Sequence, residues 1–254
     1  MIIVCSIYSK LFVYDFELNK KNTMKKRSNI LLMGIISGAI LFALPISLHA
    51  QPKTTDITGI TKVEFSLACE VTLLQGDKAS LVINGDEDAL EDVHVKVSGE
   101  KLEVYNKSHH QHKDDVEITI TIPDLKKLSL SGVVDIKTPE MVRFDNLKVE
   151  VSGVAVIDFS IKSKALELEA SGVLTAEITG ETTNLIIEIS GVGKLDASEL
   201  QSENCEVEVS GVAKASVNVN EKLDASVSGM GRISYKGRPV INKSSSGFGT
   251  ISRL

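Results

Sequence analysis

A set of regularly spaced serines is the first feature of this sequence that could carry chemistry. Each serine precedes a glycine, and successive serines are 21, 19, 19, 20, 18 and 18 residues apart. The pairs begin at Ser131, Ser152, Ser171, Ser190, Ser210, Ser228 and Ser246. A serine becomes a nucleophile when a general base activates it, and no histidine or acid recurs directly beside these serines. None lies in a Gly-x-Ser-x-Gly turn, so we expect them to exchange hydrogen bonds along a stack of turns.

Three histidines form a second candidate group, because imidazoles that are close in sequence can bind Zn²⁺ or Cu²⁺. They are His109, His110 and His112, and they stand among serine, glutamine, lysine and aspartate residues. A metal site needs ligands held in a defined geometry, whereas such a polar run is typical of the solvated tip of a hairpin. These histidines are therefore weak candidates for a transition-metal site.

Four glutamates repeat in step with the serines, each two residues before one of them: Glu150, Glu169, Glu188 and Glu208. If the flanking residues alternate between core and solvent, these carboxylates point outward and stack about 4.8 Å apart on successive turns. Neighbouring carboxylates then repel by roughly 0.9 kcal/mol even at the dielectric constant of water. They are weak candidates for a Ca²⁺ site, because Ca²⁺ needs six or more converging oxygens. We interpret them as a solvated acidic face and expect no cofactor.

Two cysteines follow residue 50, and the repeat assigns them to different positions of a turn. Cys205 replaces the leucine that stands five residues before the serine in most repeats, so we expect a buried thiol. Cys69 aligns with Ala155, Gly193 and Ala213. Residues at different positions of a turn seldom bring their Cα atoms within the ~4.4–6.8 Å that a disulfide needs. We therefore predict that the two cysteines form no disulfide.

The residues around each Ser-Gly pair predict the strands that hold these side chains. In most repeats, apolar residues stand one, three and five positions before the serine, a period-two alternation that is typical of a half-buried strand. A second short strand is predicted after each glycine, because apolar residues stand directly after it and again three residues later. The position directly after the glycine holds Val133, Val154, Val173, Val192, Val212, Met230 and Phe248.

This repeat predicts an all-β fold, a single-stranded β-helix (β-solenoid) whose turns are about 19 residues long. Glycine can adopt a positive φ or permit a close approach of backbones, so its regular return marks a bend in every turn. One turn cannot bury its apolar face alone, whereas stacked turns form a continuous core. An antiparallel sandwich is the alternative, but matching side-chain positions in consecutive repeats favour the solenoid.

The N-terminal segment has the organisation of an export signal. A basic start at residues 24–27 precedes an apolar run at 30–48, which ends at a small-residue site before Gln51. We predict a misassigned upstream start at 1–23, a signal peptide at 24–50, a short linker at 51–56, less regular opening turns or a cap at 57–123, and regular solenoid turns at 124–254. A retained membrane anchor is the alternative, because the run approaches the ~20 residues of a spanning helix.

Composition restricts both the core and the partners. Hydrophobic residues make up 43% of the chain, but tryptophan is absent and aromatic residues are only 4%, so the core must be aliphatic. Residues 51–254 carry 22 Lys or Arg and 32 Asp or Glu, a formal net charge of −10. Such a surface repels phosphate backbones and anionic lipid head groups. We expect no nucleic-acid partner, and membrane contact only through the signal segment if it is uncleaved.

The sequence resembles the putative auto-transporter adhesins with a head GIN domain, a family of the Gram-negative cell envelope. The resemblance covers roughly residues 57–254 and rests on the opening segment 65–77, the serial Leu-x-Val-x-Val-Ser-Gly-Val units and the closing segments 228–239 and 245–254. It implies an exported, right-handed β-helical protein and offers no catalytic residues. Two features depart from the family pattern: Leu67 replaces a glycine in the first turn, and the frequent lipoprotein cysteine is missing.

These observations favour a protein that is not an enzyme. The first hypothesis is adhesion, in which an exported module binds a protein or glycan on a host, matrix or neighbouring-cell surface. The second is a self-assembling scaffold of the cell envelope, which would form a homo-oligomer. A carbohydrate-active β-helix enzyme is a third, disfavoured because no paired acids recur in one cleft and aromatic rings are scarce. We expect the protein in the periplasm, on the cell surface or in the medium.

Export predicts that the native protein begins at or just after Gln51. N-terminal sequencing of the protein purified from its own cells checks this expectation. A soluble protein that retained Met1 or Met24 at its N-terminus would contradict it.

Overall fold

Seventeen β-strands and one short helix make up the computed structural model, which describes residues 53–55, 57–107 and 116–254. The strands are β1 (Lys53–Thr55), β2 (Lys62–Ser66), β3 (Ala68–Gln75), β4 (Ser80–Asn84), β5 (Val93–Ser98), β6 (Lys101–Asn106), β7 (Glu117–Ile122), β8 (Lys127–Leu130), β9 (Val133–Lys137), β10 (Val142–Val151), β11 (Val154–Ala170), β12 (Val173–Ile189), β13 (Val192–Val209), β14 (Val212–Val227), β15 (Arg232–Gly237), β16 (Val240–Ser245) and β17 (Thr250–Arg253). Helix α1 (Glu87–Asp92) precedes β5. The predicted signal segment and His109, His110 and His112 lie outside the described residues.

Because side chains alternate along each strand, the repeated apolar residues lie on the buried face of the strands. In β12 the side chains of Leu185 and Ile187 are buried, whereas Glu188 between Ile187 and the next inward residue is exposed. The inward residues of β10 to β14 are mainly valine, isoleucine, leucine and alanine. This confirms the predicted register, and the core is aliphatic as the composition requires.

Successive turns pair as parallel strands in a fixed register, which confirms the β-solenoid of about 19-residue turns. β11 pairs with β12 and β12 with β13, so Leu166, Leu185 and Cys205 lie one above another. Hydrogen-bonded strands lie about 4.8 Å apart. Every residue of a turn therefore joins a column of equivalent residues along the solenoid axis, and a property repeated in the sequence becomes a stripe on the surface.

Close backbone approach, rather than a positive φ, explains the repeated glycine. A Cβ atom added to Gly172 would lie 1.9 Å from the carbonyl oxygen of Gly153, and a Cβ atom on Gly191 would lie 1.9 Å from that of Gly172. Among the Ser-Gly glycines, only Gly247 has a positive φ. This close approach of the two backbones continues the hydrogen-bond ladder between turns, because the Val173 amide donates a hydrogen bond to the Gly153 carbonyl at 2.9 Å.

The opening turns are stacked out of sequence order. β2 pairs in parallel with both β6 and β8, and β3 pairs in parallel with both β7 and β9. The turn built from β2 and β3 therefore lies between a later turn, β6–β7, and the first regular turn, β8–β9. Leu67 occupies the glycine position of this inserted turn, as predicted, and its carbonyl accepts the Val133 amide at 3.2 Å.

An antiparallel cap covers the end of the solenoid where β6 and β7 lie. β5 pairs antiparallel with β6, while β4 pairs antiparallel with β7 and β1 with β4. Helix α1 has six residues, and its Ala89 is buried against the cap. In the described part of the chain, no helix has the length and apolar character needed to cross a bilayer.

The turn built from β16 and β17 carries polar residues at positions that are apolar in earlier turns. Lys243 and Ser245 are in register with the buried Ala225 and Val227. Arg253 is in register with Tyr235. A charged side chain in a core column cannot be buried without a large desolvation cost, so this end of the solenoid differs from its apolar middle.

The glycine column predicts a sharp contrast between two adjacent residues. Gly172→Ala places a methyl group against the backbone of the preceding turn, and overpacking of this kind costs roughly 1–3 kcal/mol or more. Ser171→Ala is the matched control, because Ser171 is exposed. Thermal unfolding followed by circular dichroism should show a melting temperature several degrees lower for the glycine variant alone. Equal melting temperatures for both variants would contradict the close-approach explanation.

Candidate interaction surface

The repeated serines form an exposed column, and their hydrogen bonds are structural. The Ser171 and Ser190 hydroxyls donate to the backbone carbonyls of Val151 and Ala170 in the preceding turn, at 3.5 and 3.4 Å. Our expectation that the serines bond to one another is wrong for these two. The register places these carbonyls of the preceding turn within hydrogen-bonding distance of the two hydroxyls.

The four glutamates form the predicted outward column. Glu150 pairs in register with Glu169, Glu169 with Glu188, and Glu188 with Glu208. Glu188 and Glu208 are exposed, and the other two are half-buried. In the described residues, no group of three or more acidic, histidine or cysteine side chains is placed to hold a metal ion.

A column of lysines beside the first two glutamates removes the repulsion that we expected there. Lys127 forms an ion pair with Glu150 at 2.7 Å, and Lys148 lies 2.7 Å from Glu169 and 2.8 Å from Glu167. Hydrogen bonds to these carboxylates raise the pKa of the Lys148 ammonium, and the same lysine lowers the pKa of Glu167. Uniform repulsion along the column is therefore a wrong expectation, because the lysines occupy the adjacent column.

Farther along the solenoid the lysine column ends, and three of the glutamates there form no ion pair in the described part of the chain. The positions in register with Lys148 hold Glu167, Ile186, Glu206 and Asp224 in the following turns. Among the described residues, Glu188, Glu206 and Glu208 take part in none of the ion pairs. We call the outward column Glu188–Glu208 the acidic flank.

A line of apolar side chains, all exposed except the half-buried Val154, follows the glycine column. It consists of Val133, Val154, Val173, Val192, Val212, Met230 and Phe248, and we call it the apolar ridge. Exposure reaches 54% at Val192 and 89% at Phe248, although large apolar side chains usually lie inside. Contiguous exposed apolar surface of this kind marks interaction sites.

The sequence contained the signal for the ridge. The residue three positions after Val133 is Ile136, which is buried. A separation of three residues in a strand places two side chains on opposite faces. The valine directly after each glycine must therefore point outward whenever the later residue points inward.

A basic column lies on the far side of the ridge from the glutamates. Lys194 pairs in register with Lys214, and Lys214 with Arg232. All three are exposed, and within the described chain none of them takes part in an ion pair. We call these three residues the basic flank. The apolar ridge thus runs between an anionic and a cationic stripe.

Known proteins share both the sequence pattern and the fold of this chain. The family model described as putative auto-transporter adhesin, head GIN domain, matches residues 59–239. The chain belongs to this family. A putative adhesin from Bacteroides fragilis is similar in structure, with 27% identity and a TM-score of 0.76 over 80% of this chain and 96% of that chain. A putative lipid binding protein from Parabacteroides distasonis, 21% identical, shares the fold with a TM-score of 0.65 over the same shares. No curated protein matches the chain.

The two cysteines of this adhesin-family chain are core residues. Cys205 lies in register between Leu185 and Leu223, and Cys69 in register with Val134, so the predicted positions are confirmed. Both thiols are buried and free. Burial raises the pKa of each thiol to about 12, because the thiolate would lose its hydration. Neither thiol is a reactive nucleophile near neutral pH.

A surface depression of about 310 Å³ lies where β3 and β10 meet, and its lining includes Asp77, Pro123 and Glu140. Gln75 shapes it. The Gln75 side-chain amide donates to the Arg143 carbonyl at 2.6 Å and accepts from the Arg143 amide at 2.8 Å. The glutamine thus acts as a strand partner for Arg143, a role that sequence reasoning did not detect because it depends on a contact across 68 residues.

The lysine column predicts a salt- and pH-dependent stability difference. Lys148→Gln removes the cation shared by Glu167 and Glu169, and for these partly exposed groups we expect a loss below about 1 kcal/mol. Lys164→Gln is the control, since its pair with Asp145 is more than 70% exposed on both sides. In urea unfolding at pH 7, Lys148→Gln should lose more unfolding free energy than Lys164→Gln.

The sign of the pH dependence follows from the lowered pKa of Glu167. A lowered carboxyl pKa stabilises the fold above the ordinary glutamate pKa, and this contribution is lost as the pH falls through the lowered value. The deficit of Lys148→Gln should therefore shrink below about pH 4 and in molar salt. A deficit that is constant across pH and salt would show that packing of the lysine stem, and not its charge, is responsible.

Proposed function

We propose that this protein is an exported, non-enzymatic binding module of the bacterial cell envelope, and that its binding surface is the apolar ridge with its two charged flanks. The observation that carries the proposal is the persistence of exposed valine at one position through four or more turns. Threonine would satisfy the preference of strands for β-branched residues equally well. The ridge therefore adds apolar surface that the fold itself does not require.

The arrangement of polar groups supports binding rather than catalysis. The Ser171 and Ser190 hydroxyls donate to backbone carbonyls, and both cysteines are buried with raised pKa values. Catalytic sites bring a nucleophile, a base and a charge-stabilising group together in a cleft. The features that repeat here are instead stripes of exposed side chains along the solenoid, which suit an extended contact with another surface.

Membership in an adhesin family supports export, and the basic and apolar segment at residues 24–48 fits a cleaved signal. The ligand of this module is a protein or glycan surface in our proposal. The name of the Parabacteroides distasonis protein raises lipid as a second ligand class, and an exposed apolar ridge suits it as well. Self-assembly in the envelope is the third candidate, favoured by the two opposite charges that flank the ridge.

The proposal predicts that charge on the ridge abolishes binding while charge elsewhere does not. Val192→Asp with Val212→Asp should remove the adherence that the wild-type gene restores to a deletion strain, measured on mucin-coated and collagen-coated wells and by cell sedimentation. The matched control is Gln201→Asp with Asn220→Asp, because these exposed residues lie on the same strands but far from the ridge.

Cell fractionation and circular dichroism must show that both double variants are exported and folded. Loss of adherence in the ridge variant alone supports the proposal. Equal adherence of the two variants would remove the ridge as the binding surface. Binding of purified protein to phosphatidylcholine vesicles, lost in the ridge variant, would instead favour the lipid class.

A further inference from the structure

We infer that the partner of the apolar ridge is a second copy of this chain, docked side by side with the two solenoid axes parallel and pointing in the same direction. The inference rests on the proposed function, because it names the partner of the same surface. It starts from the charges that the chain leaves unpaired on the two sides of the ridge.

Each of two successive turns carries an acid on one side of the ridge and a base on the other. Around Val192 these are Glu188 and Lys194, and in the following turn they are Glu208 and Lys214. In the described part of the molecule, none of these four charged side chains has an ion-pair partner. All four are exposed, so a docked surface can reach them.

The order of the three stripes makes this surface complementary to itself in one orientation. A two-fold axis parallel to the ridge keeps each turn at its own height and exchanges the left and right sides of the facing copy. Glu188 of one copy then faces Lys194 of the other, and Glu208 faces Lys214. The two ridges then lie side by side along the axis, and four intermolecular ion pairs surround the apolar contact.

The opposite orientation is disfavoured by the same charges. A two-fold axis perpendicular to the ridge reverses the direction of the second solenoid but leaves its acidic flank opposite the acidic flank of the first. Like charges placed opposite each other at an interface cost several kcal/mol and suppress wrong arrangements. The stripes therefore select parallel docking, which leaves the two antiparallel caps at the same end.

The glycine column gives the facing ridge a place to pack. Gly191 and Gly211 lie directly beside Val192 and Val212 in sequence and carry no side chain. When the two-fold axis lies between the glycine and valine columns, the valines of each copy meet the glycine column of the other. The acidic and basic flanks are then separated from this axis by nearly equal numbers of residues.

The other half of the solenoid lacks this pattern, which locates the contact. Lys127 and Lys148 already neutralise Glu150 and Glu169 within the chain. Column positions equivalent to Lys194 hold Asp135, Val156 and Thr175 in those turns. We therefore place the centre of the contact between the turns of Val192 and Val212.

A charge-swap experiment tests the arrangement. The acid variant E188K/E208K and the base variant K194E/K214E should each dimerise at least tenfold more weakly than wild type in sedimentation velocity, because each homodimer would face like charges. An equimolar mixture of the two variants should restore dimers, since both contacts are again between opposite charges. The control E203K/E221K changes the net charge by the same amount as the acid variant, but on exposed residues away from the ridge. It should dimerise like wild type.

Single cysteines distinguish the orientations. V173C and M230C should each form homotypic disulfides under mild oxidation in the parallel dimer. Equivalent residues of the two copies lie at the same height there, on either side of the two-fold axis. In an antiparallel dimer, V173C and M230C would cross-link to each other in a mixture and not to themselves. Heterotypic cross-links alone would overturn the parallel arrangement.

The outcomes also separate this inference from the proposed function. A wild-type protein that stays monomeric up to about 100 µM, or charge-swap variants that fail to recombine while remaining folded, overturns the second copy as partner. If the ridge variant V192D/V212D nevertheless loses adherence, the ridge remains a binding surface for another ligand. If dimers form as described but adherence persists in that variant, the dimer stands and the adhesive surface lies elsewhere.

Discussion

The close contact between the backbones of successive turns at the Ser-Gly bend is the constraint on which the rest of the structure depends. From Gly132 to Gly211 the carbonyl of each repeat glycine accepts an amide of the following turn, and a Cβ atom at the next glycine would lie 1.9 to 2.3 Å from that carbonyl oxygen. Glycine permits this close approach in the regular turns, while Leu67 occupies the equivalent position in the opening turn. Because the ladder fixes the register, the contents of every core and surface column follow from it.

A fixed register multiplies the consequence of each residue type. An apolar residue repeated at an inward position builds a mainly aliphatic core, which also buries Phe65, Phe144 and Phe159, whereas a charge repeated at an outward position builds a repulsive column. The chain offsets that repulsion by shifting lysines into the adjacent column, as at Lys127 and Lys148. Where this column holds Ile186 and Glu206 instead of lysine, Glu188, Glu206 and Glu208 take part in none of the ion pairs of the described residues. The same repeat therefore contains turns whose acidic column is paired within the chain and turns whose acidic column is not.

Sequence reasoning recovered what is local and periodic. The turn length, the inward residues such as Ile187, the place of Leu67 and the core positions of both cysteines all follow from spacing within a repeat. The insertion of β2 and β3 between β6–β7 and β8–β9 could not be predicted, because strand pairing between non-successive turns leaves no period in the sequence. The Gln75 contact with Arg143 is hidden for the same reason. The exposed ridge was predictable from the three-residue separation between Val133 and the buried Ile136. It is easily missed, because a repeated valine is usually expected in the core.

The two ends of the solenoid explain why association through the side is the favoured route. The cap formed by β1, β4 and β5 covers one end with antiparallel strands. At the other end, Lys243 and Ser245 stand in columns that are apolar in the preceding turn, and such inward polar residues protect an exposed strand edge from pairing with another sheet. End-to-end stacking would have to desolvate that lysine. The lateral contact proposed along the ridge would need no new backbone pairing and would bury valine against the glycine column, which carries no side chains.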